Sequence, residues 1–312
     1  MKIIFAGTSK ISEIILNKIL KIPYFCQIIG VLTNPDKRSG RGRKIIFSPV
    51  KTLALKYKIP IWQPELLNSQ ELHILINKKS PDLILVISYG KVFPENILNI
   101  PTIGCWNIHF SCLPKWRGSS PVQRAIENGD KETAVTIINM DKGLDTGDIL
   151  SFKKIKISSY DTTISLSNKL AILGGNLLIN TLFLQKKNQL YPKKQSTHGI
   201  SYAKKIQKLE SIIDWSQNAK YIIRKIRAFQ PWPICYAPLS GCNIKIWDAD
   251  IIYNKSGKPA KILQVNKEGV QVACGKYSIN ITKIQIPGKK ISNIKTIFST
   301  VKKTFIPETF WK

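Results

Sequence analysis

A carboxamide and an imidazole, Asn107 and His109, stand two residues apart at the end of an apolar run from Ile103 to His109. In an extended strand, residues i and i+2 share a face. The pair therefore points one way, just ahead of a Pro/Gly-rich loop, Ser111-Cys112-Leu113-Pro114-Lys115-Trp116-Arg117-Gly118. Such groups can donate to a developing oxyanion and carry a proton, although Asn-x-His also occurs as a purely structural pair. A carboxylate would orient and charge the imidazole. The bend Met140-Asp141-Lys142-Gly143-Leu144-Asp145-Thr146-Gly147-Asp148 offers three, and without that role it reads as a plain polar turn.

The elements around the pair read as an open α/β sheet, in which ligands bind beyond the carboxyl ends of the strands. Lys2 to Ala6 is a first buried strand, Ile11, Ile14, Ile15 and Ile19 recur at helical spacing, and Ile28 to Thr33 is a second strand. This is the opening of a doubly wound βαβ fold. No Gly-x-Gly-x-x-Gly follows the first strand, so a nicotinamide cofactor is not indicated. Five consecutive aliphatics, Leu83 to Ile87, predict a strand covered on both faces, and Ser88-Tyr89-Gly90 after it should border the cleft. Further strands are expected at 61–62, 133–138 and 149–157, and helices at 49–58, 65–79, 121–128 and 162–185.

Between the second strand and the next helix lies Asn34-Pro35-Asp36-Lys37-Arg38-Ser39-Gly40-Arg41-Gly42-Arg43-Lys44. Its five cations, two glycines and lack of periodicity predict a mobile basic loop, either solvated only or a phosphate clamp built from Lys37, Arg38, Arg41, Arg43 and Lys44. Residues 190–206 show little periodicity and read as a linker. Beyond them come a basic helix over 218–229 and short alternating segments at 234–239, 243–252, 260–266, 269–274 and 277–286, the pattern of a small β-barrel of OB-like type. Trp232, Tyr236 and Trp247 are its candidate stacking aromatics, unless they serve as core. The expected architecture is thus a mostly parallel doubly wound catalytic domain over 1–189, a linker, and a basic β-barrel over 207–312.

The totals set bounds on function. Hydrophobic residues make up 43% of the 312 and charged residues 21%, an ordinary globular composition. No apolar run approaches the roughly 18–20 residues that span a bilayer, and the first residues lack a signal-peptide layout, so a cytoplasmic protein is expected. The six cysteines and three histidines are scattered without metal-ligand spacing. No metal is expected, and the cysteines read as reduced core residues. The net charge of +29 points to a polyanionic partner, or else to the Lys-rich drift of a biased genome. Residues 190–312 hold 22 Lys+Arg against 6 Asp+Glu, and residues 1–189 hold 26 against 13. The charge is thus denser in the second part, which favours nucleic acid.

Taken in order, Phe5-Ala6-Gly7-Thr8, Gly40-Arg41-Gly42-Arg43, Ser48-Pro49-Val50-Lys51, Tyr89-Gly90, Asn107-Ile108-His109, Leu113-Pro114-Lys115-Trp116-Arg117-Gly118, Pro121-Val122-Gln123-Arg124-Ala125-Ile126, the bend 140–148 and Ile226-Arg227-Ala228-Phe229-Gln230-Pro231-Trp232-Pro233 make a chain that resembles the methionyl-tRNA formyltransferases over nearly its whole length. The Asn, His and Asp alone are shared with other folate-dependent formyltransferases, including the enzyme that formylates glycinamide ribonucleotide. The resemblance implies Asn107, His109 and Asp145 as the catalytic trio, and Ser111, Cys112, Leu113 and Pro114 as the wall of a pocket for 10-formyltetrahydrofolate. It also implies that the insert around Arg41 and the C-terminal barrel hold initiator methionyl-tRNA. A monomer is expected. The family usually has a small residue at 110 and Leu at 112; Phe110 and Cys112 keep an apolar wall of altered shape.

Overall fold

The computed structural model describes residues 1–39, 44–239 and 241–311. The chain divides into two compact units: unit 1 comprises Met1–Pro121, Glu132–Lys156 and Ser167–Ala203, and unit 2 comprises Val122–Lys131, Ile157–Leu166 and Lys204–Lys312.

The strands of unit 1 are β1 (Lys2–Gly7), β2 (Gln27–Leu32), β3 (Lys37–Ser39), β4 (Lys44–Ile46), β5 (Ile61–Trp62), β6 (Leu83–Ile87), β7 (Gly104–His109), β8 (Arg117–Gly118), β9 (Glu132–Asn139), β10 (Ile149–Lys156) and β11 (Tyr202–Ala203). Seven of them form one sheet in the order β10-β9-β7-β6-β1-β2-β5. The pairs from β7 to β5 are parallel, and β9 and β10 are antiparallel. The centre is apolar on both faces: all of β6 is buried, as are Ile3 to Ala6 of β1. Each fully buried aliphatic side chain there contributes about 1.5–3 kcal/mol relative to an exposed one.

The helices begin where local chemistry allows. In α1 (Lys10–Ile19) the Ser9 side chain accepts from the Ser12 N–H, and in α2 (Pro49–Lys56) Ser48 accepts from the Lys51 N–H with Pro49 in the first turn. The helix expected over 65–79 starts later, as α3 (Gln70–Lys79), because Ser69 caps it through the Leu72 N–H. A short α4 (Glu95–Leu98) follows β6, α5 (Pro121–Asn128) starts at the boundary between the units, and α6 (Thr163–Lys186) is the long helix that the spacing predicts.

The basic stretch 34–44 is not simply an aperiodic loop. Its arms β3 and β4 pair antiparallel, Lys37 opposite Ile46 and Ser39 opposite Lys44. Three-residue arms are too short to show an alternation in sequence. Of the stretch 190–206, residues 190–203 are tied down in unit 1: Lys193 bridges Ile149, and β11 pairs in parallel with β8.

Unit 2 carries α7 (Ala219–Ala228), α8 (Phe298–Thr304) and six antiparallel strands: β12 (Tyr236–Leu239), β13 (Cys242–Ile252), β14 (Ile262–Asn266), β15 (Gly269–Ala273), β16 (Ser278–Gln285) and β17 (Ser292–Asn293). They run in the order β12-β13-β16-β15-β14, with β17 on β16. Register shifts between Ile246 and Ala249 lie mid-way along β13, where irregular pairing increases the local twist. The barrel expected from the short alternating segments is a curled half-barrel. Trp232 is 55% exposed, while Tyr236 and Trp247 are half-buried.

A charged cluster secures α5 within this unit. Arg124 Nη1 lies 2.8 Å from carboxylate oxygens of both Glu127 and Glu210, and the Tyr221 hydroxyl donates to Glu127 at 3.0 Å. Burial, with the Glu127 carboxylate beside it, pushes the Tyr221 phenol up to about 12.

The β2–β5 contact in unit 1 has no slack. A Cβ on Gly30 would stand 2.1 Å from the Trp62 ring. Gly30→Ala is expected to lower stability by about 1–3 kcal/mol through overpacking, read as a fall in the urea midpoint of intrinsic fluorescence; an unchanged midpoint would contradict this packing.

Candidate active site

β7 places its two polar residues by register. It lies between β6, with Asn107 opposite Val86, and β9, with Asn107 opposite Ile138 and His109 opposite Thr136. Trp106 and Ile108 are buried on one face, which commits Asn107 and His109 to the other. After Phe110 the chain turns at once. The Ser111 hydroxyl donates to the Lys115 carbonyl at 2.5 Å, and the Thr136 hydroxyl donates to the Ser111 carbonyl at 2.7 Å. The Leu113–Pro114 peptide is cis, and Trp116 sits at φ 64°.

The three aspartates of the bend have separable surroundings. Asp141 holds the bend itself, its Oδ1 accepting from the Gly143 N–H at 3.0 Å and the Thr146 hydroxyl at 2.6 Å. Asp145 faces β7. Its Oδ1 accepts from Asn107 Nδ2 at 2.9 Å, and its Oδ2 accepts from the Gly118 N–H at 2.8 Å and lies 3.5 Å from His109 Nδ1. Asp148 uses its backbone carbonyl to accept from the Asn139 N–H. The side chains of His109 and Asp145 are 6% and 12% exposed, so this is a sheltered cluster. Gly118 has φ +116°, and a Cβ there would meet the Ala203 carbonyl oxygen at 2.9 Å; only glycine fits where its N–H must point.

The imidazole has two acceptor neighbours. Its Nε2 lies 2.8 Å from the Trp116 carbonyl, which can only accept, so Nε2 carries a proton. Its Nδ1 faces the Asp145 carboxylate, and a ring protonated on both nitrogens would satisfy both neighbours. Among the described residues, the second amide hydrogen of Asn107 is uncommitted. The arrangement can present hydrogen-bond donors to negative charge that develops beyond the end of β7.

The remaining expected residues are distributed as follows. Ser111 and Leu113 are buried, and Cys112 and Pro114 are the partly exposed members of that turn, beside buried Phe110. Cys105, on the same strand face as Asn107, is buried, and burial pushes its thiol up to about 12, so it is no nucleophile. Lys37 is exposed on β3, and Arg38 and Lys44 hold paired strand positions. Arg41 and Arg43 lie outside the described residues. Sequence reasoning missed Trp116 as a carbonyl partner, Gly118 as a donor, and Arg117 with Gln195 behind the bend. Main-chain partners leave no side-chain signal, and Gln195 stands in a stretch without periodicity.

A clasp sits at the root of the β3–β4 ribbon. Lys51 Nζ pairs with Asp36 Oδ2 and donates to Gln63 Oε1 at 2.8 Å. Gln63 Nε2 donates to Asp36 Oδ1 at 3.0 Å and to the Asn34 carbonyl at 2.8 Å. The Asn34 amide reaches the Tyr89 carbonyl at 2.9 Å, which ties the root to the turn after β6.

Comparison with known proteins identifies the family of the chain. The family model described as formyl transferase matches residues 1–182, and that described as formyl transferase, C-terminal domain, matches residues 205–302. The methionyl-tRNA formyltransferase of Buchnera aphidicola subsp. Schizaphis graminum is 41% identical over 98% of this chain and 97% of that protein. The chain belongs to the methionyl-tRNA formyltransferase family. Among solved structures, the family's member from Clostridium thermocellum matches 82% of this chain and 95% of its own with a TM-score of 0.57 at 22% identity. HypX from Aquifex aeolicus, in complex with tetrahydrofolic acid, covers all of this chain with half of its own, at a TM-score of 0.64 and 16% identity. These two likenesses concern the fold. Among the described residues, no group of three His, Cys, Asp or Glu side chains could hold a metal, and no helix is long and apolar enough to cross a membrane.

The clasp has a measurable electrostatic signature. Hydrogen bonds from Lys51 and then Gln63 hold the Asp36 carboxyl below its ordinary value. Its contribution to stability is therefore present above the ordinary carboxylate range and lost as pH falls through the lowered folded value. In Lys51→Met the Asp36 carboxyl is expected to titrate higher than in the parent, measured by carboxyl carbon NMR; an unmoved midpoint would contradict the clasp.

Proposed function

We propose that this protein transfers a formyl group from 10-formyltetrahydrofolate to the α-amine of methionyl-initiator tRNA, with Asn107, His109 and Asp145 as its catalytic trio. The observation that carries the reading is the Asp145 carboxylate joined to Asn107 and facing His109 at the end of β7, in a chain 41% identical to methionyl-tRNA formyltransferases over nearly its whole length.

The donor, bound as a substrate, supplies the formyl carbon. A free α-amine has a pKa of about 8, so an appreciable neutral fraction exists at pH 7 and no strong base is needed to make it nucleophilic. The demanding requirement is the negative charge that collects on the formyl oxygen as the amine nitrogen bonds to the formyl carbon. Asn107 donates its free amide hydrogen to that oxygen. His109 reaches it once Nε2 leaves the Trp116 carbonyl, an exchange of one acceptor for another. Asp145 orients the imidazole. When the bond from the formyl carbon to the folate nitrogen breaks, His109 or a water passes the amine's proton to that nitrogen. Cys112 and Pro114, the partly exposed residues of the turn after β7, wall the folate pocket, and Ser111 and Leu113 shape it from behind.

The basic ribbon and the basic half-barrel hold the tRNA, with Lys37, Arg38, Arg41, Arg43 and Lys44 on phosphates. The charge of +29 and its density beyond residue 190 support this assignment. All three trio residues come from one chain, which supports a monomer as the working unit. Its substrate, charged initiator tRNA, supports a cytoplasmic place of work.

Purified protein incubated with the formyl donor and methionyl-initiator tRNA is expected to yield formylmethionine. Transfer only to small amines such as amino sugars would replace this reading, and no transfer to any amine would leave an RNA-binding protein. Ala substitutions at Asn107, His109 and Asp145 are each expected to lower turnover by about 10²–10³-fold, the usual cost of losing an oxyanion donor, with far-UV circular dichroism unchanged. Near-normal turnover in His109→Ala would remove that residue from the chemistry.

For the ribbon, Lys37→Ala and Arg41→Ala are expected to raise KM for tRNA and flatten the salt dependence of kcat/KM by about one in log–log slope each, with kcat unchanged. An unaltered slope at low salt would argue against phosphate contact.

A further inference from the structure

We propose that Gln195 is a positioning residue for formyl transfer: it grips the main chain of the Asp145 bend and, with Arg117 behind it, keeps the Asp145 carboxylate within reach of Asn107 and His109. This rests on the assignment of the trio under the proposed function.

Gln195 lies in the stretch between α6 and β11, 50 residues from Asp145. Its Nε2 donates to two carbonyls, those of Asp145 and Gly147, at 2.8 Å each. Its Oε1 accepts from Arg117 Nε at 3.1 Å and Nη2 at 2.8 Å. The orientation of the amide is fixed chemically. A guanidinium only donates and a carbonyl only accepts, so the reverse placement would set NH₂ against donors and oxygen against oxygen.

The contacts close a ring around one residue. Arg117 and Gly118 are adjacent in β8, which β11 holds in place, with the Arg117 N–H on the Ser201 carbonyl at 2.9 Å. The Gly118 N–H holds Asp145 by its carboxylate. The Arg117 guanidinium, acting through Gln195, holds it by its carbonyl. Asp145 gains from such support because it sits at φ 52°, a left-handed conformation that Asp adopts more readily than most side chains but that still carries a cost for its neighbours to offset. The bend also packs closely on the end of β9, where a Cβ added to Gly147 would stand 1.8 Å from the Asn139 carbonyl oxygen. Without Gln195 the two carbonyls lose their donor, the bend relaxes, and the carboxylate leaves the fixed place from which it orients His109.

The test is Gln195→Met, which keeps volume and removes all four hydrogen bonds, in the parent and in an Asp145→Ala background. In the parent, kcat for formylation of methionyl-tRNA is expected to fall about 10- to 100-fold, the range for a catalytic group displaced by about 1 Å. KM for both substrates should stay within about threefold. In the Asp145→Ala background the same substitution should cost less than about threefold, because the residue it serves is gone. Gln195→Glu, which keeps an acceptor for Arg117 but sets carboxylate oxygens against the two carbonyls, is expected to lose as much as Gln195→Met. Gln195→Asn, one methylene short with the same chemistry, serves if the others fail to fold, and its expected loss is smaller. Equal losses in both backgrounds, or a kcat near that of the parent, would overturn the proposal. A crystal structure of Gln195→Met reads the same point without activity: the Asp145 carboxylate should have left the Gly118 N–H, and finding it unmoved would overturn the proposal. A parent protein that formylates no methionyl-tRNA would instead overturn the function on which this rests, and the crystallographic comparison would still judge the positioning.

Discussion

One carboxylate holds together parts of the chain that have no other reason to meet. Asp145 takes the amide of Asn107 on one oxygen and the main-chain N–H of Gly118 on the other, where it also faces His109. A largely buried carboxylate persists as an anion only if its lone pairs are matched to donors. Here the donors come from the strand end and from the loop beyond it. The requirement runs both ways: removing the carboxylate would leave an amide and a backbone N–H facing nothing, a greater cost than the bond itself is worth. Both halves of the site are therefore set by the same small set of contacts.

The sheet explains why this cluster lies where it does. Parallel strands bring their carboxyl ends to one edge, and the chain must turn sharply there. Two such turns place a non-glycine residue at positive φ, Ser88 after β6 and Trp116 beyond β7, and a third such residue, Asp145, stands in the bend that follows antiparallel β9. Each costs about 1–3 kcal/mol and persists only where neighbours impose it. The Trp116 conformation has a chemical effect, because it sends a carbonyl to His109 Nε2. The ring is thus held by a weak acceptor until a stronger one arrives, and negative charge on a substrate oxygen would be stronger.

The parts of this design legible in sequence were those with a local signature. Asn107 and His109 share a face by the period of two, and the burial of Trp106 and Ile108 bears that out. The five aliphatics of β6 announced a central strand, and the short alternating segments announced the C-terminal sheet. The choice among three aspartates was not local. Asp141 satisfies itself within the bend through Gly143 and Thr146, a fact of conformation rather than composition, and only the family resemblance singled out Asp145. The β3–β4 ribbon escaped notice because Lys37-Arg38-Ser39 carries neither alternation nor β-branched residues. Gln195 was hidden for a different reason: an amide in an aperiodic stretch looks like any surface amide until the fold brings Arg117 and two carbonyls to it.

The division of the chain itself has a consequence for how such a protein can be altered. The polypeptide passes between its two units five times, because 122–131 and 157–166 belong with the C-terminal half. Neither unit is a cassette that a single cut could release. A gene ending near codon 200 would encode the Arg124–Glu127 pair without Glu210, the Tyr221 hydroxyl and the Arg224 guanidinium, which hold α5 in the intact chain. The second half is therefore joined to the first at several points along the chain, and no single break in the gene divides the two units cleanly.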